Sequence, residues 1–256
     1  MASVPEPLLL LHGFTQTGRG WDEVARHLDG ERYRPLAPDL RGHGAAGPRR
    51  PIDMDACAQD VAGLAAGPFA LAGYSMGGRL ALHVALAEPE RVTRLVLVSA
   101  TAGIEDPDER ERRRSRDEAL AAWMDADGRT MSDVADRWGA QSLFARQPAA
   151  VAAAARSDRL TNEPAHLAAS LRGIGTGVMT PLWDRLGELR MPVAVVAGER
   201  DTKFVALAER LGRELPDARL VVVPEAGHAL PLEAPAALAH IIGGHPDPIS
   251  DITPRQ

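Results

Sequence analysis

Three residue types in this chain are placed so that together they could move a proton. Ser75 sits in Leu71-Ala-Gly-Tyr-Ser-Met-Gly-Gly-Arg79, Asp201 follows Gly198-Glu-Arg, and His228 follows Ala226-Gly. A serine hydroxyl is inert until a histidine accepts its proton, and an acid must orient that histidine. Gly73-Tyr-Ser-Met-Gly77 is a G-x-S-x-G pattern, in which flanking glycines relieve the crowding of a sharp strand-to-helix elbow. An ordinary turn serine would also fit the pattern. The apolar run before Ser75 and the amphipathic Arg79–Ala87 after it favour the elbow. Asp201 and His228 each lie just past an apolar run, at what would be the carboxyl ends of strands, where open α/β sheets gather their sites. Glu199 is the rival acid, and a surface role is the rival for His228.

Negative charge that develops on a substrate oxygen beside such a serine can be held by backbone amides. The residue after the serine, Met76, offers one N–H, and the loop Leu11-His-Gly-Phe14 can aim the Phe14 N–H as a second. His12 is expected to brace that loop and His43, in Arg41-Gly-His-Gly44, to belong to loop structure. His27, His83, His166 and His240 lack a partner motif and are expected on helices or the surface. The sequence contains no His/Cys/Asp cluster at metal-ligand spacing and no G-x-G-x-x-G after a strand, so no metal and no cofactor are expected.

Short apolar runs are expected to position these residues: Leu8–Leu11, Tyr33–Ala37, Phe69–Gly73, Arg94–Val98, Pro192–Ala197 and Ala218–Val223. Continuous Val/Leu runs of this length suit strands buried on both faces, and helical patterns between them argue for a parallel sheet with helices on either side. The spacing breaks between Val98 and Pro192, where helical periodicity runs through Asp108–Met124, Ser132–Leu143 and Pro148–Leu160. The expected fold is therefore α/β: about six mainly parallel strands with helices on both faces and a helical cap inserted after the fourth strand. The expected organisation is a core of 1–101 and 186–245, a cap of 102–185 and a flexible tail of 246–256.

The bulk numbers narrow the partners. The 256 residues are 45% hydrophobic, and 29 basic against 35 acidic residues give a net charge of −6, which provides no electrostatic case for nucleic acid. A lone cysteine, Cys57, precludes an internal disulfide framework and fits a reducing compartment. No apolar run reaches the roughly 20 residues of a membrane span, and Leu8–Leu11 lacks the flanks of a signal peptide. A cytoplasmic globular protein acting on a small molecule is expected, with its oligomeric state open.

LHGF, GYSMGG, GERD and AGH together resemble the α/β-hydrolase fold from end to end of the chain. More particular segments are similar to one branch, the 2-succinyl-6-hydroxy-2,4-cyclohexadiene-1-carboxylate (SHCHC) synthases of menaquinone biosynthesis. These are HGFTQTGRGW, GYSMGGRLAL, ERERRRSRDEALAAW, RWGAQSLF, RLTNEPAHLAASLRGIGTG and GERDTKF. The resemblance implies a lyase that removes a ring proton from a polycarboxylate cyclohexene and expels pyruvate. It implies carboxylate-binding arginines at Arg79, one helical turn past Ser75, and in the cap at Arg113 and Arg159, with Tyr74 and Trp138 as further pocket positions. Arg110 or Arg114 replaces Arg113 if the register slips, and Arg156 is the rival of Arg159. Mixed charge such as that of Glu109–Glu118 also suits a solvated helix. The family pattern often has a histidine three residues past the catalytic one; here that position is Pro231.

On this reading Ser75 acts as a base with no acyl-enzyme. Two alternatives remain open: a carboxylesterase or carbon–carbon bond hydrolase with Ser75 as nucleophile, and a non-catalytic protein that binds a small carboxylate.

Overall fold

The computed structural model describes residues 4–244, so the expected tail 246–256 lies outside the described residues, as do 1–3 and 245 of the expected core. Among the described residues six strands form one sheet: β1 (Glu6–Leu11), β2 (Tyr33–Leu36), β3 (Phe69–Tyr74), β4 (Val92–Val98), β5 (Val193–Gly198) and β6 (Ala218–Val223). Their order is β2-β1-β3-β4-β5-β6 and every pairing is parallel. β4 starts at Val92, earlier than its apolar run, because Val92 is drawn into register with Phe69.

Side chains alternate between the faces of the sheet, as the strand period requires. Leu9, Leu11, Leu71 and Leu97 face one core, with Cys57 of α2 (Met54–Ala62), Leu80 of α3 (Met76–Ala87) and Leu211 of the helix after β5. Leu8, Leu10, Ala70 and Val96 face the other, with Trp21, Val24 of α1 (Asp22–His27) and Leu238 of the helix that ends the described chain. This double burial is why the strands read as unbroken apolar runs.

Between β4 and β5 lie α4 (Pro107–Met124), α5 (Met131–Gly139), α6 (Ala149–Arg159) and α7 (Pro164–Ile174), and no strand among the described residues. α4 opens with Asp106 capping the Glu109 N–H and a proline in its first turn, both favourable starts. Thr130 and Asp133 form a capping box for α5. The helix expected over Ser132–Leu143 stops at Gly139, and a 3₁₀ turn over Ser142–Phe144 follows. That break turns Phe144 inward, where it is buried against the core. Ala121, Met124, Val134, Leu167, Ala168 and Leu171 make a separate apolar cluster that joins α4, α5 and α7.

Two polar ties seat these helices on the sheet. Asp158 accepts hydrogen bonds from the Thr17 N–H at 3.0 Å and from the Thr17 hydroxyl. Asn162 donates to the Thr15 carbonyl at 3.0 Å and accepts from the Gly44 N–H at 2.9 Å. Beyond β5 follow α8 (Thr202–Glu214), α9 (Leu230–Glu233) and α10 (Pro235–Ile242). No helix among the described residues is long and apolar enough to cross a membrane.

Candidate active site

Ser75 joins β3 to α3 with φ +52° and ψ −106°, a backbone conformation that side chains rarely adopt. The turn closes because glycine flanks it. A Cβ at Gly73 would overlap the Gly77 carbonyl, and one at Gly77 would overlap the Leu11 carbonyl. The Ser75 N–H donates to the Val98 carbonyl at 2.9 Å, which ties the elbow to the end of β4. Met76 is the first residue of α3, so its N–H has no intrahelical acceptor.

His228 reaches the same point from the loop after β6. Its Nε2 lies 3.2 Å from Ser75 Oγ and its Nδ1 lies 2.6 Å from Asp201 Oδ2. A carboxylate can only accept, so Nδ1 carries the proton and Nε2 is left to accept from the serine. Asp201 and His228 are both buried. Asp201 also caps α8, accepting the Phe204 N–H with Oδ1 at 3.4 Å, which holds its second oxygen toward the imidazole. Glu199, the rival acid, accepts the Glu225 N–H at 2.9 Å and braces the loop instead.

One positioning residue had no signal in the sequence. Glu233 accepts from the Gly227 N–H at 2.7 Å and the Ala229 N–H at 3.0 Å, gripping the backbone on both sides of His228. Pro231 is buried in the first turn of α9, two residues before it.

His12 and His43 lie wholly buried under the Phe14 loop. His12 accepts the Leu40 N–H at 3.0 Å through Nε2 and donates to the Gly13 carbonyl at 2.9 Å through Nδ1. His43 accepts the Thr15 N–H at 3.3 Å. Burial pushes both pKa values down, that of His43 well down, so both rings are neutral braces.

Ser75 and His228 open onto a cavity of about 320 Å³ between the sheet and the inserted helices. Phe14, Met76, Tyr74, Trp138, Arg79 and Arg113 also line it. The sequence reading did not single out Lys203, Gln141, Phe144 or Thr176, which lie on the wall as well. Among the described residues no Asp or Glu lies on that wall, while Arg79, Arg113 and Lys203 do. A cavity whose wall carries three cations and no carboxylate favours an anionic guest.

The arginines differ in how they are held. Arg79 is buried and donates through Nη1 to the Ile174 carbonyl at 2.7 Å. Burial, and secondarily the charge of Arg113, pushes its pKa down to about 10, still protonated at neutral pH. Arg113 donates through Nε to Asp117 Oδ1 at 2.9 Å. Arg110 is taken up by the Ile104 carbonyl at 2.9 Å in a part-buried setting, and Arg114 by Glu111 and Arg156 by Asp136 at 2.8 Å in exposed ones. Arg159 is buried, with its Cζ 5.2 Å from the centroid of Phe144, a residue of the cavity wall. Among the described residues no group of three or more His, Cys, Asp or Glu is placed to hold a metal.

A family model described as the alpha/beta hydrolase family matches residues 8–241. The chain is 35% identical over 247 residues to a Bacillus subtilis (strain 168) protein provisionally assigned as a 2-succinyl-6-hydroxy-2,4-cyclohexadiene-1-carboxylate synthase, covering 93% of this chain and 89% of that one. It is 31% identical over 237 residues to the 2-succinyl-6-hydroxy-2,4-cyclohexadiene-1-carboxylate synthase of Enterobacter sp. (strain 638), covering 91% and 88%. Among solved structures, MenH from S. aureus superposes with a TM-score of 0.87 at 28% identity, covering 94% of this chain and 93% of that one.

Proposed function

The chain belongs to the alpha/beta hydrolase family, and on that premise we propose that it is an SHCHC synthase, a lyase of menaquinone biosynthesis. One observation carries the reading: a Ser-His-Asp chain opens into a cavity whose charged wall residues are cationic. An ester hydrolase of neutral substrates has no use for Arg79, Arg113 and Lys203 around its serine, whereas a polycarboxylate substrate does.

The substrate is 2-succinyl-5-enolpyruvyl-6-hydroxy-3-cyclohexene-1-carboxylate. His228, oriented by Asp201, draws the Ser75 proton and leaves the serine oxygen basic. Ser75 removes the ring proton beside the succinyl carbonyl, the C–H electron pair forms a double bond to the next ring carbon, the existing ring double bond shifts by one position, and the C–O bond to the enolpyruvyl group breaks with its electron pair leaving on oxygen. The departing enolate takes up a proton and leaves as pyruvate. The Phe14 and Met76 amides hold negative charge that develops on a substrate carbonyl oxygen. Arg79, Arg113 and Arg159 hold carboxylates so that the C–H faces Ser75, a positioning effect. In this reading 102–185 act as the cap over the site, the partner is a small polycarboxylate, and the protein works in the cytoplasm.

The test is pyruvate release from enzymatically generated substrate, followed with lactate dehydrogenase, for wild type and Ser75→Ala. Release that is lost in the variant, with substrate binding kept, supports the proposal. No release above the uncatalysed rate, together with a burst of alcohol from a chromogenic ester, would replace it with the hydrolase reading.

A further inference from the structure

His228 stands in the loop between Val223, the end of β6, and Leu230, the start of α9. Among the described residues its main chain makes no backbone-to-backbone hydrogen bond. Glu233 grips the amides on either side of it, but the His228 carbonyl has a different partner. The Ser99 hydroxyl donates to that carbonyl at 3.1 Å. Ser99 is 1% exposed and is not one of the residues lining the cavity.

The backbone of Ser99 is strained to make this contact. Its φ of +46° lies in the left-handed region, which a serine adopts only where the surroundings over-determine it. The Ser99 N–H donates to the Val196 carbonyl at 2.8 Å, carrying the bonding between β4 and β5 one residue past Val98. Ala100 then packs so closely on α3 that a Cβ at Gly78 would overlap its methyl group. On the other side of Ser99, the Val98 carbonyl accepts the Ser75 N–H at 2.9 Å. Two consecutive residues at the end of β4 thus hold both ends of the proton path, Val98 the serine and Ser99 the histidine.

We infer that Ser99 is a positioning residue: its hydroxyl anchors the His228 carbonyl and so sets the 3.2 Å span between His228 Nε2 and Ser75 Oγ. The inference rests on the reading of Ser75 and His228 as the proton-transfer pair and adds the residue that spaces them. Asp201 fixes the turn of the imidazole through Nδ1, whereas Ser99 fixes where the main chain that carries it lies. Without the hydroxyl the loop keeps its Glu233 bonds, but a buried carbonyl loses its donor and the histidine loses its tie to the strand that holds Ser75.

Ser99→Ala and Ser99→Gly both delete the hydroxyl, but only glycine takes up the left-handed backbone without strain. Together they separate the hydrogen bond from the strain. A misplacement of about 1 Å costs about a hundredfold in rate, and a loosened loop moves by less. On the pyruvate assay both variants are expected to lose about tenfold in kcat with KM within about twofold of wild type, because no wall residue changes. The proton NMR resonance of His228 Nδ1–H reads ring placement without turnover, since its tight contact with Asp201 carries it downfield. It is expected to broaden and move upfield in both variants. If wild type releases no pyruvate, the lyase reading fails, and the resonance still decides the role of Ser99. Melting curves show that each variant is folded at the assay temperature. A kcat within about twofold of wild type in Ser99→Gly, or a resonance unchanged in both variants, would overturn the inference. A loss confined to Ser99→Ala would overturn it as well, by assigning the effect to backbone strain.

Discussion

The Nε of Arg113 donates to Asp117 Oδ1 at 2.9 Å, one helical turn along α4. Asp117 is buried, and its other oxygen accepts the Gly177 N–H at 3.4 Å, so the arginine is tied through it to the end of the inserted helices. A pair this open on the arginine side adds little stability. Its use is to fix the plane of the guanidinium while the terminal nitrogens stay free for the cavity that Arg113 lines. Asp117→Asn should therefore raise KM about twofold to tenfold with kcat little changed, the fold-change for roughly 0.5–1.5 kcal/mol of lost side-chain preorganisation. A fall in kcat at constant KM would place Asp117 in the chemistry instead.

Arg79 is held differently, by burial and the Ile174 carbonyl. Arg79→Lys keeps a charge near the site but loses the planar fork that grips a carboxylate with two parallel bonds. A charged hydrogen bond contributes about 1.5–3 kcal/mol, so kcat/KM should fall roughly tenfold to a hundredfold. Steady-state kinetics on the pyruvate assay would read this, and a change under twofold would remove Arg79 from substrate binding.

Asp201→Asn separates orientation from fold. The amide oxygen can still accept the Phe204 N–H that caps α8, so the melting temperature should hardly move. The amide nitrogen, however, cannot accept from His228 Nδ1, and the imidazole turns to the tautomer that gives Ser75 no acceptor. In serine proteases the same change lowers kcat by about 10⁴, and a loss of about 10³–10⁴ is expected here. Retention of a tenth of the activity would show that the serine does not need the histidine.

The strands, the elbow and the order Ser75, Asp201, His228 were legible because each depends on local pattern: unbroken apolar runs, glycines around a turn, and polar residues just past strand ends. What was not legible depends on helical phase. Arg110, Arg113 and Arg114 share one charged stretch, and only the packing of Ala121 and Met124 against Leu167 and Leu171 decides which of them turns inward. Glu233 and Phe144 act through chain breaks, at α9 and at the 3₁₀ turn after Gly139, that no periodicity announces. The expectation that Arg159 serves the pocket came from resemblance alone; the structure buries its guanidinium beside the Phe144 ring.

The neutral histidines under the Phe14 loop set how the fold responds to acid. His12 and His43 are both lowered by burial from 6.5, and His83 is lowered in the same sense by burial and by Arg79. The unfolded chain takes up protons on these rings as the pH falls through 6.5, while the folded chain does not until lower pH. Unfolding is therefore favoured on acidification: their stabilising contribution is complete above pH 6.5 and is lost as the pH falls toward the lowered native values. Each fully buried ring contributes a slope of about 1.4 kcal/mol per pH unit within that window. Urea unfolding between about pH 7.5 and 5.5 should show stability level at first and then falling, and His43→Asn should remove one ring's share of the slope even if it costs stability at every pH. Equal stability at both ends of that range would mean that the buried rings accept protons in the folded state, and the Leu40 and Thr15 amides would then need other acceptors.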